Sequence, residues 1–141
     1  MLPLRYAARW RVTGLLFLVI VLLASMMPAG WLWPDRQEFV SWFTHADKWM
    51  HGIVFATLAV WFAGQYSRGS YWRIAVGLLA FGVLIEACQR LVGYRTSEWL
   101  DVAADAAGIA VGLAIALAGL GGWSQWIENR LVRSKVATSG D

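Results

Sequence analysis

The sequence predicts an all-α membrane protein with four transmembrane helices, and three observations predict this class. The 141-residue chain is 59% hydrophobic and only 15% charged, whereas soluble domains are about half apolar and about a quarter charged. Its apolar residues fall into four runs, each close to the roughly 20 residues that a helix needs to cross a bilayer. These runs contain no proline, and they are too long for the strands of a barrel or a soluble sheet.

The four predicted helices cover, in chain order, residues 11–27, 48–66, 71–92 and 102–122. The first run follows Arg5, Arg9 and Arg11, as the apolar part of a signal peptide also would. It is long for such a segment, however, and residues 24–28 make a poor cleavage site, so we interpret the run as a helix.

The chain has the length of one domain, and we expect a single four-helix transmembrane domain over residues 1–130. The following segment, LVRSKVATSGD at residues 131–141, is predicted to be a disordered cytoplasmic tail. Cys88 is the only cysteine, which excludes an internal disulfide framework.

The basic residues predict that both termini are cytoplasmic. Four helices place both termini on one side of the membrane, and basic residues are enriched in cytoplasmic loops. Of the 12 basic residues, this arrangement places eight on the side of the termini: Arg5, Arg9, Arg11, Arg68, Arg73, Arg130, Arg133 and Lys135. Residues 28–47 and 93–101 then face outwards, and residues 34–47 are predicted to include a short interfacial helix.

The scattered charges and the net charge of +3 argue against a nucleic-acid partner.

Polar and small residues recur at helical spacing on the third and fourth helices. One stripe has intervals of four, three and four residues, and it consists of Gly82, Glu86, Gln89 and Gly93. The other has intervals of four, three and four, and it consists of Asp101, Asp105, Gly108 and Gly112. Such spacing places each set on one helix face, and glycines allow close helix packing. We therefore expect the two stripes to pack together.

The second helix adds Asp47 and His51, which are four residues apart on one face, with Lys48 beside them. Arg95 in the outer loop is the expected counter-charge. The predicted outward-facing pocket between helices 2, 3 and 4 is lined by Asp47, Lys48, His51, Glu86, Gln89, Arg95, Asp101 and Asp105. Ionisable groups inside a membrane are functional candidates. Each also has a structural alternative: helix capping for Asp47 and Asp101, a local pair for His51, and a packing network for the whole set.

Two segments carry a resemblance to a known family. They read DKWMHGIVFATLAV from Asp47 and EACQRLVGYRTSEWLDVAADAAG from Glu86. Over roughly residues 45–112 the chain resembles the VanZ-like membrane proteins, whose pattern is Asp-Lys-x-x-His, then Glu-x-x-Gln, then Arg, Asp, Asn and Gly. Asp105 stands where the family usually has the Asn. The resemblance implies a bacterial cytoplasmic-membrane protein of a family linked to resistance to teicoplanin, a lipid-bearing glycopeptide.

Three functions remain open from the sequence. The favoured one is binding or moving a lipid-linked cell-wall precursor, a glycolipid or another envelope ligand. The second is an intramembrane enzyme that acts on a lipid headgroup, with Glu86 and His51 as acid and base. The third is a non-catalytic assembly role. Several carboxylates with one histidine can hold a hard cation, but the spacing selects none, so we predict no metal site and no cofactor.

Overall fold

Helices are the only regular secondary structure in residues 1–27, 46–92 and 99–138, the part of the chain that the computed structural model describes. The side chains of residues 46, 47, 92 and 134–138 lie outside this description. The elements in order are α1 (Ala7–Ser25), α2 (Ala46–Ala63), a 3₁₀ turn (Arg68–Ser70), α3 (Tyr71–Val92), α4 (Trp99–Ile115), a π-helical continuation of α4 (Ala116–Leu120) and α5 (Trp123–Thr138). The all-α prediction is confirmed. The interfacial helix predicted within residues 34–47 falls mainly on residues outside the described ones.

Among the described residues, three helices are long and apolar enough to cross a membrane. They are α1, the segment Arg68–Leu91 that covers all of α3 except its last residue, and the segment Trp99–Leu120 that contains α4. The apolar part of α2, Lys48–Ala63, is shorter. Large apolar side chains on α1, among them Leu15, Leu16 and Leu23, are exposed. Exposed apolar rows of this kind are costly in water and suit contact with lipid chains. These three helices suggest a membrane protein.

Hydrogen bonds bring four helix ends together at what we call the terminal end of the bundle. The backbone N–H of Leu2, before α1, donates to the carbonyl of Gln65, after α2, at 2.9 Å. The Tyr71 hydroxyl, at the start of α3, donates to the carbonyl of Ala63 at 3.4 Å, and the N–H of Gly122, after α4, reaches the same oxygen at 3.4 Å. Consecutive helices therefore run in opposite directions.

The closest helix packing is between α2 and α4. A Cβ atom added at Gly108 would overlap the backbone of Gly52, and one added at Gly112 would overlap the carbonyl oxygen of Ala56. The α4 glycines therefore face α2 and not the glycines of α3, although the two predicted stripes do meet at Gly82 and Asp105. On α3, Gly82 instead leaves room for the carboxylate of Asp105.

Helix α5 continues to Thr138 and so extends into residues 131–141, the segment that the sequence predicts to be a disordered tail. Two buried side chains one turn apart fix the start of α5 to the bundle. The Ser124 hydroxyl donates to the carbonyl of Gly64. The Glu128 carboxylate accepts the backbone N–H groups of Arg5 and Tyr6 at 2.8 and 3.1 Å. It also accepts the indole N–H of Trp10 at 2.9 Å. Glu128 thus occupies the position of a cap at the N-terminus of α1.

This cap predicts an acid-dependent loss of stability. Burial by itself raises the pKa of the Glu128 carboxyl. The hydrogen bonds from Trp10, Arg5 and Tyr6 and the charge of Arg5 lower the pKa by more than burial raises it, so it lies below the ordinary 4.5. A lowered folded-state pKa contributes stability that is present above pH 4.5 and is lost as the pH falls through the lowered value. We expect Glu128→Gln to cost about 1–3 kcal/mol at pH 7.

Thermal unfolding of both proteins in detergent, from pH 7 down to pH 3, would measure this effect. The difference between the two midpoints should shrink below pH 4.5, because other carboxylates are common to both proteins and cancel. A difference that stays constant over this range would contradict the proposed contribution of Glu128.

Candidate functional site

Six polar side chains from three helices meet at the end of the bundle opposite the terminal end. Helical spacing of three or four residues puts both members of each pair on one face of their helix. We call this set the polar cluster, and it consists of Lys48 and His51 from α2, Glu86 and Gln89 from α3, and Asp101 and Asp105 from α4. All except Lys48 are at least nine-tenths buried. The structure therefore brings together six of the eight residues predicted from the sequence.

The remaining two predicted residues are not described: the side chain of Asp47 and the whole of Arg95 lie outside the described residues. The predicted pair of Asp47 and His51 within one helix therefore lies outside the described residues. The structure shows a contact of His51 across the helix interface, to Asp105 on α4.

His51 Nδ1 lies 2.9 Å from Asp105 Oδ1, and both side chains are buried. A neutral imidazole donates its Nδ1–H to such an acceptor, which fixes its tautomer and the orientation of the ring. Asp105 is fully buried and is held between α2 and α3, because Gly82 on α3 leaves space for its second oxygen. The packing of all three helices therefore positions this pair.

Two further contacts join the cluster to its surroundings. Lys48 Nζ lies 3.7 Å from Asp101 Oδ1, and about a quarter of the lysine side chain is exposed. Asp101 is in the first turn of α4, where a carboxylate interacts favourably with the helix dipole. On α3, Gln89 Nε2 donates to the carbonyl oxygen of Ser25 at 3.1 Å, which connects the cluster to the end of α1.

Glu86 differs from its neighbours in the cluster. Its side chain is 4% exposed, and neither carboxylate oxygen has a hydrogen-bond partner among the described residues. It lies six residues before the end of α3, about 9 Å along the helix axis. An unpartnered polar group at such a depth costs about 2 kcal/mol or more. Glu86 is therefore the residue that packing explains least.

Glu86 also lies close to potential ligand atoms on the other two helices. One ligand atom each from His51, Glu86 and Asp101 lie within 4.8 Å of one another. A nitrogen and two carboxylate oxygens at this separation can share a proton donor, a polar ligand or a metal ion. The sequence predicts that these residues line one pocket, but it does not predict that three ligand atoms come this close, because that depends on the register between the helices.

Sequence reasoning missed two features of the structure. One is the hydrogen bond from Gln89 to the backbone carbonyl of Ser25. Every residue has a backbone carbonyl, so the sequence does not indicate which one the tertiary structure places beside Gln89. The Glu128 network at the terminal end was also missed, because its partners Arg5, Tyr6 and Trp10 are distant in sequence and leave no local pattern.

Comparison of the chain with protein-family models, curated proteins and solved structures gives no match. The described residues define a helical protein with three helices of membrane-spanning length and a buried polar cluster between α2, α3 and α4. The resemblance to VanZ-like proteins stays a prediction.

Proposed function

We propose that this is a VanZ-like multi-pass membrane protein that binds a lipid-linked or cell-envelope ligand in its polar cluster. The observation that carries the proposal is Glu86, a buried carboxylate without a hydrogen-bond partner among the described residues. A ligand that donates hydrogen bonds to this carboxylate would offset the cost of burying it. By the resemblance, the membrane is the bacterial cytoplasmic membrane, and a change in teicoplanin susceptibility is an expected phenotype.

In this proposal α2 is the fourth transmembrane helix, and both termini are cytoplasmic. Its 18 residues span about 27 Å, close to the roughly 30 Å of a hydrocarbon core. The antiparallel course of the helices supports an even number of crossings. Basic residues at the terminal end, including Arg5, Arg68 and Arg130, support a cytoplasmic location for that end. The polar cluster would then face the outer side.

The chemistry of the cluster favours a ligand rich in hydroxyl or amine groups. The carboxylates of Glu86 and Asp105 are acceptors, while Lys48 supplies N–H donors at the exposed rim. Lipid-linked precursors and glycolipids carry such headgroups on apolar chains. The exposed apolar faces of the helices would let the chain of such a lipid stay in hydrocarbon.

One observation favours a second candidate function, an intramembrane acid/base enzyme acting on a lipid headgroup. The side chains of His51 and Glu86 approach within 4.8 Å, and Asp105 orients the imidazole. When a histidine and a carboxylic acid contact the same substrate, one can accept a proton from it while the other donates a proton to it. Product formation distinguishes this candidate from a binding protein.

The proposed function predicts that lipid binding depends on Glu86. Protein purified in detergent would be incubated with a total bacterial lipid extract, and bound lipids would be measured by native mass spectrometry. We expect a bound lipid on the wild type and at least about tenfold weaker binding to Glu86→Gln, since one hydrogen bond to a charged group contributes about 1.5–3 kcal/mol.

Glu128→Gln is the matched control, because it removes one buried carboxylate at the opposite end of the bundle and should leave lipid binding unchanged. Circular dichroism at the assay temperature would confirm that both variants are folded. Equal lipid binding by the wild type and Glu86→Gln would exclude the proposed site, and chemical conversion of the lipid would select the enzyme.

A further inference from the structure

We propose that the polar cluster holds a divalent transition-metal ion of the Zn²⁺ or Mn²⁺ class, bound by His51, Glu86 and Asp101. The inference rests on the proposed function in one respect, namely that the cluster is a binding site and not only a packing network. It departs from the sequence-based prediction of no metal site, because the sequence places the three residues in one pocket without giving the distances between their ligand atoms, and the structure gives these distances.

The geometry of the three side chains is close to that of a metal site. Their ligand atoms lie within 4.8 Å of one another. Metal–nitrogen and metal–oxygen bonds for zinc are about 2.0–2.2 Å, so two ligands of one ion are separated by at most about 4.4 Å. Rotations of the side chains that move each ligand atom by less than about 1 Å would therefore let all three atoms bind one ion.

Glu86 supplies the independent observation that a ligand belongs here. Its two oxygens are buried and have no hydrogen-bond partner among the described residues, and the side chain approaches His51 and Asp101. A solely structural cluster would be expected to satisfy such a carboxylate with a donor. A cation satisfies it directly.

The charges of the cluster also favour a divalent cation. Among its described side chains, the carboxylates of Glu86, Asp101 and Asp105 face a single lysine, Lys48. Three carboxylates from two helices thus supply oxygen ligands at one place, and carboxylate oxygens are common ligands of divalent cations.

The set of ligand atoms indicates which class of ion fits. One imidazole nitrogen and two carboxylate oxygens suit Zn²⁺ or Mn²⁺, whereas Ca²⁺ and Mg²⁺ prefer oxygen ligands alone. Asp105 accepts a hydrogen bond from His51 Nδ1 at 2.9 Å, the outer contact that commonly orients a metal-binding histidine. Three protein ligands leave a coordination position for a hydroxyl or phosphate oxygen of a headgroup.

The test uses the full chain in detergent, stripped of metal with EDTA and then incubated with Zn²⁺ or, separately, Mn²⁺. After removal of free ions, the bound metal would be counted per chain by elemental mass spectrometry, and the affinity measured by calorimetry. We expect one ion per wild-type chain. Affinity should fall at least about tenfold in Glu86→Gln and about 10–100-fold in the positioning variant Asp105→Asn, and stay unchanged in Glu128→Gln.

Two outcomes would overturn the metal site: no stoichiometric ion on the wild type, or equal retention by Glu86→Gln, which would indicate ions bound elsewhere. Circular dichroism of each variant would separate loss of binding from loss of fold. Lipid binding that depends on Glu86 in EDTA-treated protein, together with no bound ion, would leave the proposed function standing and remove the metal. A Glu86-dependent ion without any bound lipid would support the metal site and count against the lipid ligand.

Discussion

Replacement of Gly108 by alanine is expected to destabilise the protein by about 2 kcal/mol or more. Gly108 on α4 faces the backbone of Gly52 on α2, and a Cβ atom there would overlap the carbonyl oxygen, carbonyl carbon and Cα of Gly52. A flexible side chain could rotate away from such an overlap, but a helix backbone cannot. The two helices would have to separate, which would weaken the packing contacts that hold membrane helices together.

Gly77→Ala is the matched control for this substitution. Gly77 lies on α3, and an added Cβ would have no atom within 4 Å. Alanine is favoured over glycine in a helix by about 0.5–1 kcal/mol, so this variant should be at least as stable as the wild type. Denaturant-induced unfolding in mixed micelles would compare the three proteins. Equal stability of Gly108→Ala and the wild type would contradict the close α2–α4 contact.

The Gly108 contact also shows what the sequence can and cannot predict about this fold. Helical period and residue size identify a small face that includes Gly108 and Gly112, because side chains three or four residues apart share a face. The sequence does not say which helix lies against that face. We expected α3, which carries Gly82, to lie against this face. In the structure α2 packs against it, with Gly52 and Ala56 facing the α4 glycines.

The same distinction applies to the polar cluster. Its six described members were predicted, because ionisable residues near the ends of apolar runs are few and their spacing reveals shared faces. Their pairing was only partly predicted. The contact between His51 and Asp105 and the convergence of His51, Glu86 and Asp101 depend on the rotation and translation of each helix relative to the others. These quantities arise from the packing of all the helices together.

Helix α5 shows a second limit of prediction from sequence, which concerns contacts between distant parts of the chain. It is attached to the bundle through Ser124 and Glu128, whose hydrogen-bond partners lie on distant parts of the chain. The N-terminus of α1 has no side-chain cap of its own at Tyr6, and Glu128 accepts the N–H groups there. A long-range cap of this kind has no local sequence pattern, so the sequence does not predict how α5 is held to the bundle.

Glu86→Leu is expected to stabilise the metal-free and ligand-free protein by about 2 kcal/mol while abolishing binding at the polar cluster. The native carboxylate is buried, and neither of its oxygens has a hydrogen-bond partner among the described residues. Leucine has a similar size and removes the cost of burying that polar group. A gain in stability with a loss of binding is the behaviour expected of a residue whose burial serves a ligand.

Gln89→Leu provides the contrast, because Gln89 lies three residues further along α3, is equally buried and makes a hydrogen bond to the Ser25 carbonyl. Its replacement should destabilise the protein by about 1–3 kcal/mol, since the bond is lost and the carbonyl is left without that donor. Unfolding of both variants in EDTA-treated detergent solution would show whether each substitution raises or lowers the free energy of unfolding. If Glu86→Leu were destabilising by a similar amount to Gln89→Leu, Glu86 would be a packing residue. Opposite signs would mean that the helices assemble despite Glu86, so that its burial is explained by what the cluster binds.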